Sequence, residues 1–105
     1  MKLIIAIVND DDAFAVGNAL LQNGYPATKM ASAGGFLNLE NTTFLLGVDE
    51  DRVDGVLELI KLHSSRRMQL MGGAGSGALG GAEHGQVTVG GATVFVLDVD
   101  RFEKM

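Results

Sequence analysis

In the run Lys2-Leu-Ile-Ile-Ala-Ile-Val8 every residue after the lysine is apolar. Side chains alternate between the two sides of a strand, so this strand is apolar on both faces. Leu3, Ile5 and Ile7 lie on one side, Ile4, Ala6 and Val8 on the other. Two later runs share the property. Asn41–Val48 carries Phe44, Leu46 and Val48 opposite Thr43, Leu45 and Gly47, and Ala92–Asp98 sets Val94 and Val96 against Phe95 and Leu97. A fold built on these strands must cover a sheet from above and from below.

The intervening chain supplies cover for one side. Asn9-Asp10-Asp11-Asp12 opens a helix, because aspartates accept orphan N–H bonds in a cap and first turn and favour the positive dipole end. Ala13, Phe14, Gly17, Leu20 and Leu21 continue it at helical spacing to about Gln22. Asn23-Gly24 ends it in the left-handed conformation those residues tolerate, and Pro26 bars continuation. A second strand is expected over 27–32. The pattern then recurs. A strand over 41–48 is followed by an acidic start at Asp49-Glu50-Asp51. The next helix has Val53, Val56, Leu57 and Ile60 on its apolar stripe, with Asp54, Glu58 and Lys61 opposite. His63 and Arg66-Arg67 sit near its end, where positive charge is favoured. The last strand is 92–98, and Met68–Met71 adds a possible short one. The order is βαββαβ, the α+β ferredoxin-like sandwich, in one domain over residues 1–105.

Two helices cover one face of such a sheet. Leaving five or six apolar side chains of the other face in water forgoes roughly 1.5–3 kcal/mol each, against a whole-domain stability of about 5–15 kcal/mol. A chain of 105 residues is also near the lower end for self-sufficient burial. The second face is therefore expected to pack against other copies of the chain. A closed ring leaves no open edge, and it creates clefts between neighbours.

A functional signal lies in 27–47. Gly34-Gly35 can turn backbone N–H groups toward a ligand. Phe36-Leu37 follows at once, and a large ring is out of place in a turn that only turns. Amide donors, a flat ring and the polar side chains of Thr28, Asn38 and Asn41 suit a nucleotide's phosphate, base face and base edge. The same stretch also reads as a loose hairpin with Phe36 tucked into the core. A second glycine-rich stretch, 72–91, holds nine of the fifteen glycines. It shows no helix or strand period and reads as a long mobile loop that orders over a ligand, or as a surface insert.

Several chemistries are disfavoured. The net charge of −5 opposes a protein that coats nucleic acid, which needs clustered Lys and Arg. The central strands lack the exposed aromatics that stack on RNA. There are no cysteines, hence no disulfides or thiolate chemistry. Leu3–Val8 is too short to span a membrane or act as a signal segment, so the expected location is the cytoplasm. Gly75-Ser-Gly77-Ala-Leu-Gly80 fits G-x-G-x-x-G, but Gly81-Ala-Glu-His-Gly85 does not continue as the helix that a dinucleotide fold requires. Asp10–Asp12 is explained by helix capping more simply than by a cation site, and His63 and His84 have no metal-ligand spacing. Ser32, Ser64, Ser65 and Ser76 read as turn or surface residues. No catalytic constellation is present, so no enzyme activity and no metal are expected.

Met1-Lys-Leu-Ile-Ile-Ala-Ile-Val8, Ala27-Thr-Lys29, Gly34-Gly-Phe-Leu37, Asn41-Thr-Thr-Phe-Leu45, Gly47-Val48, Asp51-Arg-Val-Asp54 and Val89-Gly-Gly-Ala-Thr-Val-Phe-Val-Leu97 together resemble the PII-like cyclic di-AMP receptor proteins. The resemblance spans nearly the whole chain. It implies a non-enzymatic signal-transduction receptor, a homotrimer of ferredoxin-like subunits with one cyclic di-AMP in each of three inter-subunit clefts and no other cofactor. It further implies loops that change on binding and an unidentified protein partner. The implied contacts are Thr28, Gly35, Phe36, Leu37, Asn41 and Gly47, with Gly91 and Ala92. Three positions depart from the family's usual pattern. Pro26 stands where Arg is common, Asn38 where a basic residue is common, and Leu39-Glu40 replaces a smaller uncharged pair. A dianionic ligand thus meets less positive charge. The expectation is weaker affinity by one or more tenfold steps, at about 1.5–3 kcal/mol per charge-assisted bond. Two other readings stand beside this one: a PII-like sensor of another adenine nucleotide, and a trimeric interaction protein with no nucleotide ligand.

Overall fold

The computed structural model describes residues 1–32, 41–64, 67–70, 86–89 and 91–105. Strand β1 runs over Lys2–Asn9, helix α1 over Asp10–Gln22, β2 over Thr28–Ser32 and β3 over Asn41–Val48. A 3₁₀ turn at Glu50–Arg52 leads into α2, Val53–Ser64. Strands β4, Arg67–Leu70, and β5, Gln86–Val89, precede β6, Ala92–Asp98. The main sheet is antiparallel in the order β2-β3-β1-β6, and with both helices on one side it has the ferredoxin-like βαββαβ architecture expected from the sequence. The expected bounds of β3 and β6 match the observed ones.

Differences arise where local pattern was ambiguous. The cap of α1 is Asn9, whose Oδ1 accepts from the Asp11 N–H at 2.9 Å. Asp10–Asp12 form the first turn, and Asp12 is buried there. At the other end only Gly24 has positive φ, at 82°, while Asn23 has φ −99°. The acidic start at Asp49 opens a 3₁₀ turn rather than α2 itself, and Asp49 makes no side-chain cap bond. Within 72–91, read as loop throughout, Gln86–Val89 is a strand that pairs antiparallel with β4 as a separate two-stranded sheet. Residues 71–85, including the 75–80 glycine motif and His84, lie outside the described residues. So do residues 33–40, with the Gly34-Gly35-Phe36-Leu37 motif.

The core lies between the helices and the even-numbered side chains of the sheet. Ile4, Ala6, Val8, Phe44, Leu46 and Val48 meet Ala13, Val16, Leu20, Val56 and Ile60. Gly17 lets α1 come down onto Phe44, since a Cβ there would stand 3.3 Å from the ring. The stripe on α2 is Val56, Ile60 and Ser64, at strict i, i+4 spacing, and Ser64 is fully buried. This corrects its reading as a turn or surface residue. Its Oγ donates back to the Ile60 carbonyl, which satisfies the hydroxyl inside the core.

Candidate functional site

Register decides which candidate residues share a face. Thr28 pairs with Leu45, Leu45 with Ile5, and Ile5 with Phe95. Gly47 pairs with Leu3, and Leu3 with Leu97. Directly paired residues point to the same side, so Thr28 and Gly47 belong to the face away from the helices. Thr28 is exposed on the edge strand β2, and Gly47 is exposed on β3. A Cβ on Gly47 would lie 3.6 Å from Met1 Sδ, an ordinary contact. Space on its own side therefore does not demand glycine at 47.

Asn41 lies four residues farther along β3, about 14 Å from the Thr28–Leu45 row at strand rise. It pairs with Asn9 and Ser32 and is buried. Its neighbour Thr42 faces the helices, and Thr42 Oγ1 donates to Asp10 Oδ1 at 2.7 Å. The Asn41-Thr-Thr-Phe44 block thus splits its duties. Thr42 ties the first turn of α1 to β3, and Phe44 fills the core beneath Gly17. That leaves Asn41 and Thr43 on the other side of the strand.

Gly91 and Ala92 open β6, on the opposite edge of the sheet. Ala92 pairs with Val8, one residue from the Asn9–Asn41 pair. It therefore begins at the same sheet end as Ser32 and Asn41, the residues that bracket 33–40. Gly91 has φ 91°, a backbone that favours glycine, and its N–H donates to the carbonyl of Ser64 at the end of α2. That amide is thus already engaged within the chain. Gly91 and Ala92 line a cleft of about 340 Å³ whose other walls are Leu57, Ile60, Lys61 and Ser64 of α2 and Val94 of β6. The size is within the range of small-molecule sites. Its floor is apolar, and Lys61 in the last turn of α2 brings the cation.

Sequence reasoning placed Lys61 on the polar side of α2 and did not connect it with this cleft. The available signal was Leu57 one turn before it: the i, i+4 neighbour of a half-buried leucine shares its helix face. A second groove of about 310 Å³ lies between α1 and β2, walled by Phe14, Leu21, Tyr25 and Lys29. The Arg52 guanidinium stacks 4.6 Å above the Tyr25 ring centroid there. Neither depression is lined by Thr28, Asn41 or Gly47. Gly35, Phe36 and Leu37 lie outside the described residues. Among the described residues no helix is long and apolar enough to cross a membrane, and no three His, Asp or Glu side chains gather as a metal site.

The structure therefore divides the candidate contacts. Thr28 and Ala92 stand on opposite edge strands that are three spacings or about 14 Å apart. They are offset along the strands as well, since the row of Thr28 ends at Phe95, and their side chains point to opposite faces.

Comparison with known proteins gives this arrangement a context. A crystal structure of a functionally unknown protein from Pediococcus pentosaceus ATCC 25745 is similar at 43% identity and a TM-score of 0.79, over 99% of this chain and 96% of that one. A sequence model described as cyclic-di-AMP receptor matches residues 1–105, the full length seen here. The chain belongs to the cyclic-di-AMP receptor family.

Proposed function

We propose that this chain is a non-enzymatic signal-transduction receptor that binds cyclic di-AMP in clefts between the subunits of a homotrimer. The observation that carries the proposal is the division of the candidate contacts between two edges and two faces of one sheet. A ligand held by Thr28 and Gly47 cannot also touch Gly91 and Ala92 of the same chain, because the sheet stands between them. It can touch Gly91 and Ala92 of a neighbour whose β6 edge lies beside β2. The half-exposed apolar face supports the same assembly, since Phe95 at 46% and Leu97 at 45% exposure await a cover. Family membership supports the choice of ligand.

In this reading the Gly34-Gly35 amides hold a phosphate, Phe36 stacks on an adenine, and Thr28 and Asn41 bond a phosphate or a base edge. Stacking on Phe36 contributes about 1–3 kcal/mol. Calorimetric titration is expected to give one cyclic di-AMP per chain, with affinity about tenfold or more weaker in Phe36→Ala. No heat up to millimolar ligand would remove cyclic di-AMP from the proposal. Pro26, exposed just before β2, brings no cation there, and a second reading is a PII-like sensor of another adenine nucleotide, such as a linear one. A thermal-shift panel separates the two, because the ligand that binds the folded state raises the melting temperature.

A further inference from the structure

The cleft between α2 and β6 poses an electrostatic problem. It lies against the C-terminal turn of α2, where helix carbonyls present partial negative charge. An anion brought to Gly91 and Ala92 meets that charge. The Gly91 N–H is engaged with the Ser64 carbonyl, and the Ser64 hydroxyl with the Ile60 carbonyl. Neither donor is directed at a ligand. The side chains of Leu57, Ile60, Ala92 and Val94 bring none. The described candidate contacts Thr28, Asn41, Gly47, Gly91 and Ala92 are all uncharged. Lys61 is the positively charged side chain of the cleft wall.

We infer that Lys61 is an electrostatic and specificity determinant of the nucleotide site, placing its ammonium toward a ligand phosphate in the α2–β6 cleft. The inference rests on the nucleotide-receptor reading above and adds a residue to it. The apolar floor receives the face of a base, and Lys61 both opposes the helix-end charge and meets the anion. Within one chain Lys29 stands away from this cleft, because it lines the groove on the other edge of the sheet. A lysine is a compact point charge on a flexible stem, so the site recognises anionic charge more than a fixed oxygen geometry.

The test is titration of cyclic di-AMP into the full chain and into Lys61→Met and Lys61→Arg, each at low and at raised salt. Lys61→Met keeps the aliphatic stem and removes the charge. It is expected to lose about tenfold in affinity at low salt and to show a shallower salt dependence than the unaltered chain. Lys61→Arg is expected to keep both. Equal affinity and equal salt dependence in Lys61→Met, with the unaltered chain still binding, would overturn the role of Lys61 alone. Absence of binding by the unaltered chain would overturn the receptor reading and this inference together. A melting temperature for Lys61→Met close to that of the unaltered chain excludes misfolding as the cause of the loss.

Discussion

The two faces of the main sheet are built from nearly the same residues and have different fates. On the helix side Ile4, Ala6, Val8, Phe44 and Leu46 are almost wholly removed from solvent. On the other side Leu3, Ile5, Ile7 and Leu45 are only half-buried, and Phe95 and Leu97 at the β6 edge are exposed. Side-chain chemistry does not account for the difference. It follows from two helices covering one side of a four-stranded sheet. Even on that side the cover ends before the edge, since Val96 pairs with buried Ile4 yet is itself exposed. The comparison separates two functions of apolar residues. The covered face holds the single chain together, whereas the open face contributes stability only when something else covers it.

The largest effect is expected on the covered face. Phe44 is 2% exposed and fills the space under Gly17, so Phe44→Ala should cost about 3–5 kcal/mol by chemical denaturation. A loss below about 1 kcal/mol would mean that this face is not the main source of cohesion.

An intermediate effect is expected on the open face, and of another kind. Phe95→Asp puts a charge where the chain alone leaves the ring nearly half in water. The helical circular dichroism should be retained, while light scattering should fall from the three copies of the proposed trimer to one. A charged Phe95 variant that stays trimeric would place the assembly surface elsewhere. Unfolding of this variant as a dilute single chain would erase the distinction between the faces.

The same contrast explains what could be read from residues alone. The alternation in 2–8, 41–48 and 92–98 specified three strands closely, because each is long and flanked by clear breaks. The helical spacing identified Ala13 and Leu20 on α1 and Val56 and Ile60 on α2 as inward. Phe14 and Leu21, read on the same α1 row, are exposed, while Val16 and Ala19 are buried in their place, as is Ser64, whose hydroxyl masked its place one turn after Ile60. Gln86-Val-Thr-Val89 does alternate, but four residues among glycines carry little weight without the pairing to β4, which only tertiary structure supplies. Asn9 was overshadowed as a cap by the three aspartates after it. The site was the hardest part to foresee. Local chemistry suggested Thr28 and Asn41 as candidates, and the family resemblance added Gly47, Gly91 and Ala92. The separation of Thr28 from Ala92 to opposite edges depends on β1 and β3 lying between β2 and β6, an order that no local spacing encodes.

The smallest expected effect is at the rim, where β1 and β6 begin and end. Lys2 and Asp98 are register partners, and the Lys2 ammonium donates to the Asp98 carboxylate. That hydrogen bond, reinforced by charge attraction, lowers the Asp98 pKa and raises that of Lys2. For Asp98 the folded state prefers the ionised form. Its contribution is therefore present above the unfolded value of about 3.9 and is lost as pH falls through the lower folded value. For Lys2 the preference is for the protonated form, so that contribution is present below about 10.4 and disappears as pH rises through the higher folded value. Asp98 is largely exposed, so solvent and salt screen the pair. Lys2→Met should lower the melting temperature slightly at neutral pH and low salt, with the deficit vanishing both in high salt and below the Asp98 titration. A deficit that persisted in high salt would point to the packing of the Lys2 stem, not its charge, as the contribution to this end of the sheet.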